Sequence, residues 1–95
     1  MASIGVLTLE LRLEGSHSLK EKRHVVASLK DRLRHKFNVS VAEIDHQDLW
    51  QRATLAAVTV SSDHVHAEKV LQGVEDDVAE QVGGALVSAN VEWVE

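Results

Sequence analysis

The sequence predicts an α+β protein with the ferredoxin-like two-layer sandwich fold, in which two helices cover one face of a four-stranded antiparallel sheet. Four segments have the alternation or composition of strands, and two have the spacing of amphipathic helices. They follow one another in the order βαββαβ, which right-handed crossovers turn into this sandwich. The 95 residues suffice for one hydrophobic core, so we expect a single domain over residues 1–95.

The first strand and the first helix are predicted from the N-terminal third of the chain. Apolar side chains alternate from Ile4 to Leu13, the period of a half-buried strand, and the expected buried set is Leu7, Leu9, Leu11 and Leu13. Ser18, followed three residues later by Glu21, forms a capping box, which predicts that a helix begins there. Asn38 is expected to end this helix, whose apolar stripe contains Leu19, Val26, Leu29, Leu33 and Phe37.

The middle of the chain predicts a hairpin of two strands. Val39, Val41 and Ile44 alternate with small or polar residues and predict the second strand. The polar stretch 45–48 is typical of a hairpin connection. Residues 52–61 are rich in Thr, Val and Ala, which predicts the third strand.

The second helix and the last strand complete the prediction. Candidate N-caps at residues 61–63 precede a helical stripe formed by Ala67, Val70, Leu71, Val74, Val78 and Val82. Gly83 and Gly84 should end this helix. The fourth strand is predicted over residues 85–94, with an alternating set of Val87, Val91 and Trp93.

The open face of the predicted sheet suggests self-association. If the leucines of the first strand face the helices, Ile4 and Val6 lie on the opposite side, beside apolar residues of the third strand. Such a surface marks a contact between chains more often than a solvent face. We therefore expect a homodimer that uses the open face or an edge strand.

Charge is segregated along the chain, although the net charge is −5. Residues 20–36 contain seven basic and two acidic residues, a local net charge of +5. Residues 63–82 contain six acidic residues and one lysine, a local net charge of −5. A negative total opposes attraction of the whole molecule to nucleic acid, but a local basic surface can still bind polyanions.

A basic stripe on the first helix is the candidate anion- or RNA-binding site. Spacings of three, seven and four residues return to one flank of a helix, and they separate Lys20, Arg23, Lys30 and Arg34. Such a stripe can contact phosphates, helped by the N–H donors of the helix start. The alternative is a solvated flank whose basic side chains cover core edges and pair with carboxylates. Lys22 projects into the apolar stripe, so it must reach the edge or meet a carboxylate.

A polar cluster at the hairpin has an uncertain role. Its members could form an oxygen-rich metal site or an acid/base pair, and they are Glu43, Asp45, His46 and Asp48. We favour a structural role with salt bridges to Arg52 or to the basic helix. Trp50 is expected to pack as a lid over the hairpin. The sequence thus predicts neither a metal site nor a catalytic residue.

No feature of the sequence calls for a cofactor. The motifs of P-loop, dinucleotide, serine-hydrolase and zinc-protease sites do not occur, and there is no cysteine to act as nucleophile or ligand. No aromatic residue lies in the first or third strand, which disfavours base stacking on the sheet. No apolar run reaches the length of a membrane span, and no secretory signal is evident. We expect a cytoplasmic protein that does not contact a membrane.

Three segments, residues 18–23, 37–43 and 45–52, resemble the YlxP-like family of small uncharacterised bacterial proteins. The resemblance implies a bacterial cytoplasmic protein with a ferredoxin-like fold, often encoded beside translation initiation and ribosome-maturation factors. It implies no established activity, so no catalytic residue is transferred to this chain. His24 departs from the family pattern, which more often has another basic residue there, so an anion contact at that point would depend on pH.

The sequence therefore predicts a non-enzymatic binding or assembly domain, with RNA or the ribosome as the leading partner. A regulatory domain that binds a small molecule and a purely structural homo-oligomer are alternatives. An enzyme built on the hairpin cluster is the least favoured. The sequence identifies neither a ligand nor an RNA.

Overall fold

The computed structural model describes residues 1–94 and confirms the predicted fold class. The sheet order is β2-β3-β1-β4, with every neighbouring pair antiparallel. The elements are β1 (Ser3–Arg12), α1 (Leu19–Lys36), β2 (Ser40–Asp45), β3 (Arg52–Ser61), α2 (His64–Val82) and β4 (Leu86–Val94), with a 3₁₀ turn at Gly83–Ala85. None of the described helices is long and apolar enough to cross a membrane.

The hydrophobic core lies between the sheet and the two helices, as the alternation predicts. All four leucines of the predicted set are buried, and they meet the buried stripes of both helices and the inner residues of β3. Ile4 and Val6 lie on the open face, opposite Val60 and Val58 of β3. The helices therefore cover one face of the sheet and leave the other uncovered.

The helix ends follow local capping chemistry. Ser18 caps α1, because its Oγ accepts a 3.1 Å hydrogen bond from the Glu21 N–H. Asp63 is the N-cap of α2, accepting from the N–H groups of residues 65 and 66. Gly83 has a φ of 56°, which only glycine adopts easily, and α2 ends there as expected.

The end of α1 differs from the prediction. The helix stops at Lys36 rather than at Asn38, and Phe37 already has the extended φ of −132°. The Phe37 ring packs against the core, and a Cβ at Gly73 of α2 would lie only 2.8 Å from it. Packing of this ring against α2 accounts for the early end.

Two bulges interrupt the sheet, and the one in β4 displaces an apolar side chain that simple alternation places inward. Ile44 is the extra residue where Glu43 pairs with Leu55 but Asp45 pairs with Thr54. Val87 is the extra residue between Leu86 and Ser88 of β4. Both side chains are exposed, so the prediction of Val87 on the same face as Val91 and Trp93 is wrong, since a bulge reverses the alternation.

Candidate functional site

The start of α1 is fixed by reciprocal hydrogen bonds. The Ser18 hydroxyl receives the Glu21 N–H, and the Glu21 carboxylate in turn accepts a 2.6 Å hydrogen bond from the His17 N–H. These bonds satisfy backbone donors that the first turn of a helix leaves unpaired. The apolar stripe of α1 then sets its rotation, and Lys22 lies on the buried side of the helix.

Lys22 points inward and holds the hairpin. Its side chain is 0% exposed, and Nζ donates to Glu43 Oε2 at 2.8 Å, to the His46 carbonyl at 2.8 Å and to the Gln47 carbonyl at 3.0 Å. Three acceptors match the three donors of an ammonium group, which makes its burial tolerable. The expectation that Lys22 meets a carboxylate is confirmed, and the partner is on β2.

The hairpin backbone adapts to this ammonium group. His46 has a φ of 64°, a left-handed conformation that is uncommon outside glycine. Its carbonyl accepts from Lys22 and also from the Leu49 N–H at 3.0 Å. Two donors, one from α1 and one from the turn itself, therefore hold the carbonyl of His46 in place.

Arg32 and Lys36 point toward α2 and hold its Asp77. Arg32 donates to both carboxylate oxygens of Asp77, at 2.8 and 3.0 Å, and Lys36 Nζ donates at 2.8 Å. The hydrogen bond from Arg32 outweighs the effect of burial and, with that from Lys36, keeps the pKa of Asp77 below its usual 3.8. Asp77 is 3% exposed, so this clamp joins the helices inside the packed layer.

The remaining basic side chains of α1 form the basic flank, which we define as Lys20, Arg23, Lys30 and Arg34. Within residues 1–94, the first three form no ion pair and no side-chain hydrogen bond. Lys20 and Arg23 are exposed, and Lys30 is half-buried. The predicted stripe thus stays on one side of α1, largely available to solvent.

Arg34 differs from the other three members of the flank. Its Nη2 donates to the Val41 carbonyl at 2.7 Å, and its Nη1 lies 3.9 Å from the exposed carboxylate of Asp31. Val41 belongs to β2, an edge of the sheet. Arg34 is therefore partly committed to the fold, and the flank has three free cations and one shared one among the described residues.

A groove of about 1030 Å³ lies beside the start of α1. Lys20 and Arg23 stand on its wall with His17 and His24, and Glu14 and Glu21 also line it. Its apolar lining comes from Leu13, Val25, Val82 and Ala85. The groove thus combines an apolar surface with cations from the first turns of the basic flank.

Comparison with known proteins gives the family. Residues 4–91 match the family described as "Protein of unknown function (DUF503)". The chain belongs to the DUF503 family. It is also 45% identical over 71 residues to "Uncharacterized protein YlxP" of Bacillus subtilis (strain 168), covering 75% of this chain and 77% of that protein. The YlxP-like resemblance is confirmed.

Solved structures similar to this DUF503 domain include two designed proteins. "De novo designed protein Foldit4" has a TM-score of 0.61 at 8% identity and covers 100% of this chain and 98% of its own. A designed protein titled "LFR1 1 with ferredoxin fold" has a TM-score of 0.55 at 11% identity, covering 99% and 84%. At such identities the likeness concerns the fold alone.

The hairpin cluster of the DUF503 domain does not converge on one point. Glu43 binds Lys22, Asp45 accepts from the neighbouring His46 N–H at 2.8 Å, and Asp48 forms no ion pair or side-chain hydrogen bond within residues 1–94. In the same range, no three side chains of metal-binding type lie together.

Of the two partners expected for the hairpin carboxylates, the basic helix is found, through Lys22, and Arg52 is not; the lid expected over the hairpin is also absent from the described residues. No carboxylate of residues 1–94 comes within 4.0 Å of the Arg52 guanidinium, because that side chain is on the open face while Glu43 points toward α1. Only the Arg52 carbonyl approaches Lys22, at 3.5 Å. Trp50 is 53% exposed, so it does not cover the hairpin as a lid.

Sequence reasoning missed the Asp77 clamp. The sequence shows Asp77 only as one of the negative charges of an acidic helix. A usable signal was present, since Asp77 adjoins the apolar stripe of α2 and Arg32 and Lys36 follow each other at i,i+4 on α1. The spacing within each helix does not show that these residues meet where the two helices pack together.

Proposed function

We propose that this DUF503 domain is a non-enzymatic module that binds RNA through the basic flank of α1. The proposal depends on one observation. Lys20, Arg23 and Lys30 have no carboxylate partner among residues 1–94, whereas three other cations of α1 each have one. Unpaired, exposed cations on one helical flank are suited to phosphate groups, which are spaced regularly along a nucleic-acid backbone.

The position of the flank favours contact with the RNA backbone and disfavours the reading of bases. Trp93 is half-buried in β4, and Phe37 packs against the core. Trp50 lies on the hairpin, outside the basic flank. Neither tryptophan nor the phenylalanine therefore accompanies the cations to stack a base. Binding should be weak and independent of sequence, with a Kd of about 10⁻⁴ to 10⁻⁶ M at physiological salt.

A non-enzymatic role is supported by the dispersion of the hairpin groups. Acid/base chemistry needs two titratable groups within reach of one substrate. Glu43 is instead bound to Lys22, and Asp45 accepts from its own turn. The hairpin therefore offers structural contacts where an enzyme would need a convergent site.

The test is RNA binding measured by fluorescence anisotropy as a function of salt, with a short labelled RNA duplex. Neutralisation of three or four phosphates predicts a slope of log affinity against log salt of about −2 to −4. Lys30→Gln should reduce the magnitude of this slope by about one. Arg23→Glu combined with Lys30→Glu should abolish binding.

The matched control is Arg52→Glu combined with Lys69→Glu, two exposed basic residues away from the flank. Both double variants change the net charge from −5 to −9, since each substitution removes one positive and adds one negative charge. The control should retain most of the affinity. Equal loss in both double variants, or no binding by the unaltered protein, would contradict the proposal.

The groove supports a second candidate function, that of a regulatory domain which binds a small anionic molecule. Its volume of about 1030 Å³ is at the upper end of ordinary ligand sites. The apolar lining and the cations Lys20 and Arg23 suit a molecule with an apolar body and a carboxylate or phosphate. A thermal-shift screen against metabolites would detect it, and Val82→Phe, which fills the groove without changing its charge, should reduce the shift while leaving both cations in place.

A further inference from the structure

The open face of the sheet has an apolar half, which we define by Ile4, Val6, Val58, Val60 and Val94. The strand register makes these residues neighbours, because Ile4 lies between Val60 and Val94 while Val6 lies opposite Val58. Val60 is 54% exposed and Val94 is 53% exposed. Aliphatic side chains on three adjacent strands thus form one continuous surface, which Ala42, Ala56 and Ile44 extend toward the β2 edge.

The other end of the open face is charged and differs sharply from the apolar half. Arg12 lies directly opposite Arg52, and the Thr54 hydroxyl donates to Glu10 at 2.8 Å. Like charges directly opposite each other on neighbouring strands repel, and this repulsion is weak in water and strong when the charges are buried. The charged end is therefore suited to solvent, whereas the apolar half is not.

We propose that the open face packs against the same face of a second copy of this chain, with the apolar half as the buried centre. A two-fold axis brings the apolar half of one copy against the apolar half of the other. The valine and isoleucine side chains of two sheets packed face to face can interdigitate. Arg12, Arg52 and Glu92 then lie toward the rim, where interfaces are usually polar.

The size of the face agrees with a second copy as the occupant. The strands contain 10, 6, 10 and 9 residues. With a rise of about 3.3 Å and a strand separation of about 4.8 Å, the face measures roughly 550 Å². Two copies that cover each other over the whole face, with the charged end as part of the rim, bury about 1100 Å², the size of a small and weak interface.

The free edge of β2 is a weaker candidate for self-association. Arg34 of α1 already donates to the Val41 carbonyl of this strand. A bound side chain and its positive charge on an edge strand discourage pairing with another strand. The open face carries no such obstacle at Val58 and Val60.

Light scattering and sedimentation equilibrium test the proposal between micromolar and about 100 micromolar protein, the range expected for a small interface. The unaltered protein should show twice the mass of the chain. Val60→Asp should be monomeric, with dimer affinity reduced at least about tenfold. Val94→Lys, a second change on the same half, should have the same effect.

Val65→Asp is the matched control, since Val65 is equally exposed but lies on α2. It should remain dimeric, and circular dichroism should show that all three variants are folded. A monomeric unaltered protein over the whole range would overturn the proposal, and so would a folded Val60→Asp variant that stays dimeric.

The effect of salt on dimerisation distinguishes this interface from one that is held together by opposite charges. Burial of aliphatic surface should persist or strengthen in molar NaCl, because salt does not screen the hydrophobic effect. A dimer that docks its basic flank on the acidic α2 of its neighbour should dissociate in molar NaCl and after the Arg23→Glu and Lys30→Glu changes. That outcome would overturn the open-face assignment. Because Val60 is remote from the flank, failure of the dimer leaves the RNA proposal to be judged by its own test.

Discussion

The paired and unpaired basic residues of α1 are identical in chemistry and opposite in use. Lys22, Arg32 and Lys36 meet carboxylates within 2.8 Å and join α1 to the hairpin and to α2. Lys20, Arg23 and Lys30 form no such contact among residues 1–94. The difference comes from angular position on the helix, since a step of one residue turns a side chain by about 100°. Charge in the first set stabilises the fold, and charge in the second set is available to a partner.

The largest effect expected from breaking this division is at Lys22. Lys22→Met should lower the free energy of unfolding by about 3–5 kcal/mol, because Glu43 and two carbonyls would lose a buried donor. Urea denaturation followed by circular dichroism measures this loss. Lys20→Met, the same change on the basic flank, should alter stability by less than about 0.5 kcal/mol.

A double variant sharpens this prediction. Lys22→Met combined with Glu43→Leu removes both charges, so it should recover part of the lost stability. If Lys22→Met lowers the free energy of unfolding no more than Lys20→Met does, the Lys22 ammonium group does not hold the hairpin to α1.

The Asp77 clamp should show an intermediate effect that depends on pH. Asp77→Asn removes a carboxylate bound by two cations, which should cost about 1–3 kcal/mol at neutral pH. Because folding lowers the pKa of Asp77, the contribution is complete above its usual pKa of 3.8 and is lost as the pH falls through the lowered value. The difference between the unaltered protein and the variant should therefore shrink in acid.

Asp76→Asn is the control, since Asp76 is exposed and bonded only to Gln72 in the described part of the chain. Thermal unfolding of both variants from neutral to acidic pH measures the effect. Equal destabilisation by the two changes would show that the clamp has no special role.

How much the sequence predicts can be judged from these residues. Periodicity and capping predicted the topology, the leucines of β1, the start of α1 at Ser18 and the inward position of Lys22, because each depends on neighbours along the chain. Asp77 depends on two helices packing side by side, and the exposure of Val87 depends on where the bulge of β4 falls. Such features arise from tertiary contacts that one-dimensional spacing does not encode.

A smaller effect is expected at Arg34, the shared member of the basic flank. Arg34→Gln should cost about 1 kcal/mol, since it removes the 2.7 Å hydrogen bond to β2. Hydrogen exchange should show faster opening of β2 in this variant than in Lys30→Gln. The same opening rate in both variants would show that Arg34, like Lys30, does not stabilise β2.

The smallest effect is expected at Asp48 of the hairpin. Asp48→Ala should change the free energy of unfolding by less than about 0.5 kcal/mol, because its side chain has no partner among residues 1–94. Calorimetry with Mg²⁺, Ca²⁺ and Zn²⁺ should detect no tight binding in either protein. Stoichiometric binding that Asp48→Ala abolishes would restore the metal-site interpretation.

The bond from Arg34 to Val41 also bears on uncontrolled growth of the sheet. Joining the β2 edge of one molecule to the β4 edge of the next is a head-to-tail contact, and repetition of that contact produces a fibre without end. Occupying one of the two edges is enough to interrupt such a series, since every link needs both. The side chain of Arg34 thus puts an obstacle on one of the two edges that such a series requires.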